Sequence, residues 1–105
     1  MLFNPECEHC QKQLELLLSM PEVTQFTQLV LSSIETFEKN RIFYNKFHLE
    51  KYPFIRLGKD YKYFFGAYFQ PKTIPVLAFY NKKNELIFFN QGSTKKKMIM
   101  AAVKN

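Results

Sequence analysis

No apolar run in the 105 residues approaches the roughly 18 needed to cross a bilayer as a helix, so no membrane span is expected in this segment. Internal repeats and low-complexity linkers are missing too, which excludes a solenoid and leaves no seam between domains. The N-terminal stretch has neither a basic start nor a long apolar block and reaches Glu6 and Cys7 at once, so it does not read as a secretory leader. Cysteine is scarce: Cys7 and Cys10 are the only two, too few for a disulfide-stapled miniature domain. Charged residues make up only 23%, against 47% hydrophobic and 17% aromatic. Twelve Phe and six Tyr supply enough apolar area to oppose chain entropy, so the 12.6 kDa chain should fold, as one domain over residues 1–105.

The net charge of +6 invites an anionic partner, but the charges are scattered. Lys95, Lys96 and Lys97 form the one dense run, and a solvated helix face explains it better than a phosphate-binding stripe. No nucleic-acid partner is expected.

Periodicity predicts the order β, α, β, α, β, α, β, β, α. A short strand covers residues 1–4 until Pro5 breaks it, and a helix over 7–19 carries Cys10, Leu14 and Leu17 at helical spacing. A strand is expected over 26–33 and a helix over 35–48 with Phe37, Phe43, Tyr44 and Phe47 on one side. A short strand follows over 54–57. Asp60 is placed to cap a helix in which Tyr61, Phe64, Phe65 and Tyr68 share a face. Residues 76–80 and 86–89 flank the polar Asn81-Lys82-Lys83-Asn84 connection of a hairpin. Ser93 or Thr94 would cap a last helix through Val103 with Met98, Ile99, Ala102 and Val103 inward. Such an order defines an α/β domain with a central mixed sheet.

The chemistry concentrates at the first strand-to-helix junction, Asn4-Pro5-Glu6-Cys7-Glu8-His9-Cys10-Gln11. Residues at i and i+3 lie on one helix face, so the two sulfurs can close a small disulfide ring. Cys7, at the helix N-terminus, meets unpaired N–H groups and the positive dipole end, which stabilise a thiolate, while Cys10 lies a turn inside on the apolar stripe. Cys7 is then the nucleophile and Cys10 the resolving thiol. A cationic His9 favours the Cys7 thiolate, whereas Glu6 and Glu8 oppose it. Two other readings stay open: a metal site drawing on Cys7, His9 and Cys10 with His48, for which no second CxxC or HxxxH exists, and a pair of buried structural thiols. His48 is otherwise given no role.

The segment Phe3-Asn4-Pro5-Glu6-Cys7-Glu8-His9-Cys10 resembles the active-site segment of the thioredoxin superfamily, and Thr73-Ile74-Pro75 before residues 76–80 resembles its cis-proline loop and hairpin. Within that superfamily the chain is most similar to the TlpA-like thiol:disulfide oxidoreductases of bacterial envelopes, which share a helix like residues 61–69. The resemblance implies a thioredoxin-like three-layer α/β/α fold with a shortened first strand. It also implies attack by Cys7, resolution by Cys10, a cis Pro75 beside them, and substrate binding at Thr73, Ile74 and Pro75. Cysteine-containing protein substrates and an upstream thiol-disulfide partner follow from it, with no cofactor or metal, a monomer, and a bacterial envelope or periplasmic location. A redox-inactive thioredoxin-like protein-binding module is the alternative. Glu6 replaces the aromatic residue that commonly precedes the first cysteine, and Met1 stands where many thioredoxins place a buried acid. The peroxiredoxin pattern is absent, since Asn4 occupies its hydroxyl position. The four-residue first strand leads us to expect a natural chain that continues upstream, this being its C-terminal domain.

Overall fold

Nine named helices and strands build an α/β unit in the computed structural model, which describes residues 1–104. In chain order they are α1 (Glu8–Leu18), α2 (Pro21–Phe26), β1 (Leu29–Ser33), α3 (Phe37–Lys46), β2 (Ile55–Lys59), α4 (Phe64–Phe69), β3 (Val76–Tyr80), β4 (Leu86–Gln91) and α5 (Lys96–Val103), with a 3-10 turn at Leu49–Lys51. The strands form two two-stranded sheets, a parallel pair β1–β2 and an antiparallel pair β3–β4.

The expected first strand is reduced to isolated bridges of Leu2, parallel to Ser32 and antiparallel to Val76. Those bridges nevertheless tie the two pairs together. Leu2 N–H donates to the Val76 carbonyl at 2.9 Å and Val76 N–H returns to Leu2 at 3.0 Å, while Phe3 N–H reaches the Ser32 carbonyl at 3.0 Å. The pairing ends at Phe3; Pro5, two residues on, has no N–H to continue the ladder, and the chain turns into α1.

Two apolar clusters carry the packing. Phe3, Cys10, Leu14, Leu31 and Phe43 belong to one, and Leu17, Met20, Val23, Leu77 and Ile99 to the other. Because α1 contributes to both, it is the element that joins them. Buried Gln13 adds a polar clamp between α1 and Thr94, two residues ahead of α5: Thr94 N–H donates to its Oε1 at 2.6 Å, and its Nε2 donates to the Thr94 carbonyl at 3.2 Å.

Several expectations need correction. Residues 21–26, given no helix by the sequence, form α2, since Pro21 sits at the first helical position and pre-sets the helical φ, and Phe26, expected to open a strand, ends that helix instead. Thr94 does not cap α5. Its hydroxyl accepts from Asn90 Nδ2 at 2.9 Å, and Lys95 takes the cap position without a side-chain bond. Phe37 is 71% exposed, outside the α3 packing face, and Met98 likewise turns outward on α5. Asp60 does hold α4, its two carboxylate oxygens accepting from Phe64 N–H at 2.7 Å and Phe65 N–H at 2.8 Å. The helix is shorter than expected, starting at Phe64 and leaving Tyr61 outside it; Tyr61, Phe64, Phe65 and Tyr68 are all exposed, and Gly66 is the buried residue of that helix.

Candidate active site

Asn4 shapes the turn that presents the cysteines. Its carbonyl accepts the Cys7 N–H at 3.0 Å and its Oδ1 accepts the Glu6 N–H at 2.8 Å, while Gln11 Nε2 reaches back from α1 to the Pro5 carbonyl at 2.9 Å. Cys7 becomes the N-cap of α1 in extended conformation, and its Sγ accepts the Cys10 N–H at 3.3 Å. A sulfur thus takes the place that a Ser or Asp oxygen takes at most helix starts, where N–H groups converge and favour negative charge.

The two thiols differ sharply in surroundings. Both are free; Cys7 is half-buried, whereas Cys10 is fully buried beside Phe3, Leu14 and Phe43. Burial pushes the Cys10 thiol up from 9.0 to about 12, and the hydrogen bond with Cys7 adds to the rise. One sulfur is reachable and helix-capped, and the other keeps its proton until something draws it off.

Glu6 forms a 2.8 Å ion pair with Lys39 Nζ, which also lies 3.4 Å from Glu35 Oε2. Glu35 Oε1 in turn accepts from Asn4 Nδ2 at 3.3 Å. The hydrogen bonds to Glu6 and then Glu35 raise the Lys39 ammonium above its ordinary 10.5, so it stays cationic. The acid that the sequence sets against a thiolate therefore arrives partnered, through a lysine that the sequence reading missed. Glu35 and Lys39 stand four apart, the spacing of a helical ion pair, and that signal was available. Glu8 and His9 are exposed on the first turn of α1, and among the described residues neither forms an ion pair.

Thr73, Ile74 and Pro75 lead into β3. The Ile74-Pro75 peptide is cis and Pro75 is buried, its carbonyl accepting the Gly92 N–H at 2.8 Å. Ile74 packs against the same apolar cluster that holds Cys10 and against which Cys7 also packs. Among the described residues the Ile74 N–H has no backbone partner, and Thr73 is exposed. A cleft of about 140 Å³ opens beside them, lined by Asn4, Asp60, Tyr63 and Ile74. His48 is not brought to the cysteines' ion-pair network; its Nδ1 faces Glu50 at 3.7 Å. Among the described residues no group of three or more His, Cys, Asp and Glu side chains is arranged to hold a metal ion. No described helix is long and apolar enough to cross a membrane.

No protein-family model, curated protein or solved structure matches the chain.

Proposed function

We propose that the protein is a thiol-disulfide oxidoreductase of thioredoxin-like three-layer architecture. The observation that carries this reading is the asymmetric pair: Cys7 caps α1 through a sulfur that accepts the Cys10 N–H, and Cys10 is sealed one turn behind it. A Cys7 thiolate attacks a substrate disulfide, forming a mixed disulfide and releasing one substrate thiolate. Cys10 then loses its proton and attacks Cys7 Sγ, releasing the second substrate thiolate and leaving a Cys7–Cys10 disulfide. Two electrons pass to the substrate in this direction and to the protein in reverse. Ile74, with its unpartnered N–H, supports docking of an extended cysteine-containing segment as a short added strand beside Cys7. An upstream thiol-disulfide protein would reset the pair. By the resemblance to TlpA-like proteins, the site is proposed to work as a monomer in the bacterial envelope.

Insulin reduction driven by dithiothreitol tests the reading. Parent protein should accelerate precipitation, Cys7→Ser should not, and Cys10→Ser should accumulate mixed disulfides visible by mass spectrometry. Equal turnover by parent and Cys7→Ser removes the proposal. One observation favours a redox-inactive binding module as second reading, the exposed aromatics Tyr61, Phe64, Phe65 and Tyr68. Such a module would bind its partner equally well after both cysteines become serine.

A further inference from the structure

A cavity of about 600 Å³ has neither cysteine in its wall. It opens between the end of α2, β1, α4 and the β3–β4 hairpin turn. Its lining is mainly apolar and includes Leu29, Leu77 and the rings of Phe26, Phe65 and Phe69. Those rings are partly fixed: Phe69 stacks on Phe65 at 6.5 Å and on Phe89 at 5.3 Å between centroids. Phe26, by contrast, is 78% exposed. A volume of this size lies within the usual range for small-molecule sites of roughly 300–1,000 Å³.

Charge decides what kind of molecule fits. Among the described residues Lys82 is the one charged side chain in the lining, and none of them contributes an Asp or Glu to it. The acid of the hairpin, Glu85, is held by Asn81 Nδ2 at 3.0 Å and makes no ion pair with Lys82 among the described residues. An apolar cleft with a single unneutralised cation at one end complements a molecule with an apolar body and one acidic head. A second copy of this chain, with net charge +6, would bring like charge against that cation.

We propose that this cleft binds a small amphipathic anion, its apolar or aromatic body against Leu29, Leu77 and Phe69 and its acidic head at Lys82. This site is independent of the thiol chemistry.

Anilinonaphthalene sulfonate, itself an apolar anion, serves as fluorescent probe, with dodecanoate and dodecyltrimethylammonium as competitors below their micellar concentrations. Dodecanoate should displace the probe at one-to-one stoichiometry and compete about tenfold better than the cation. Lys82→Glu should remove that preference, weakening dodecanoate by about fivefold or more, while Lys97→Glu, the same charge change on exposed α5, should leave it unaltered. Val30→Glu places a carboxylate in the cleft at a position already 54% exposed, so folding should survive and binding should disappear. The proposal is overturned if the two amphiphiles compete equally or if Lys97→Glu acts as strongly as Lys82→Glu. Binding that survives Val30→Glu, or sedimentation showing a dimer that dodecanoate leaves intact, overturns it as well.

Discussion

At Cys7 and Cys10 the same side chain is given two chemistries by position alone. Cys7 has the helix N-terminus and partial exposure; Cys10 has neither, and burial holds its proton. Limiting iodoacetamide on the reduced protein near neutral pH should therefore label Cys7 at least about a hundredfold faster than Cys10, as peptide mass mapping can read, because the thiolate is the reactive species. Comparable labelling at Cys10 would reverse the assigned roles. Lys39 supplies the second residue-scale argument. It offsets two carboxylates, Glu6 and Glu35, that otherwise stand close to the Cys7 turn. Lys39→Met should slow Cys7 alkylation, whereas Lys39→Arg should preserve it. Exposed ion pairs contribute only about 0–1 kcal/mol, so the slowing should stay within about fivefold and shrink as salt is added. A Lys39→Met rate equal to the parent's at low ionic strength would show that Glu6 does not act on Cys7.

Among the elements, α1 carries the site and is also the joint of the core, so its anchoring matters to both. Gln13 makes the clearest test, because its buried amide satisfies both the N–H and the C=O of Thr94. Gln13→Leu keeps the volume but orphans both groups and should cost about 1–3 kcal/mol in urea unfolding, with Cys7 reactivity unchanged. A loss within experimental error would mean that Thr94 finds other partners. Gln13 and Thr94 are 81 residues apart, which is why the hydroxyl next to the lysine run reads locally as a helix cap: sequence spacing carries no trace of such a long-range clamp. What was legible was local. The Cys10, Leu14, Leu17 stripe, the Asn81 turn and the Asp60 cap each rest on residues within a few positions of one another, and each is found. The strand expected over 26–33 begins only at Leu29, because Phe26 ends α2. The aromatic spacing was read as helical, and Phe64, Phe65 and Tyr68 do lie in α4, but Tyr61 falls before the helix begins; period shows which residues share a face and not whether anything covers it, and these rings are exposed. Of the site, the cysteines and the Thr73-Ile74-Pro75 loop were visible as motifs; the packing of Ile74 and Cys7 against the cluster of Phe3, Cys10 and Leu31 was not, because it joins residues far apart in the chain.

For the whole molecule, the buried thiol links redox state to alkaline stability. Cys10 titrates at about 12 in the folded protein against 9.0 as its ordinary value, so the folded state holds this proton more tightly than the unfolded chain does. A raised pKa contributes stability that is complete below about pH 9 and is lost as pH climbs toward 12. Closing the Cys7–Cys10 disulfide removes the thiol and with it this dependence. Tyr and Lys residues also titrate in alkali, but they are present in both redox forms and cancel when the two are compared. Urea midpoints of reduced and oxidised protein should therefore run parallel at neutral pH and separate above about pH 9, the reduced form weakening more steeply. Cys10→Ala should lower stability at neutral pH by leaving a small void, yet its midpoint should follow the shallower slope of the oxidised protein. Because stability and disulfide formation close one thermodynamic cycle, the same measurement gives the pH dependence of the folded protein's bias toward the disulfide. Midpoints that stay parallel throughout would mean that the interior around Phe3, Leu14 and Phe43 accommodates a Cys10 thiolate without loss, and the proton-holding role assigned to its burial would fall.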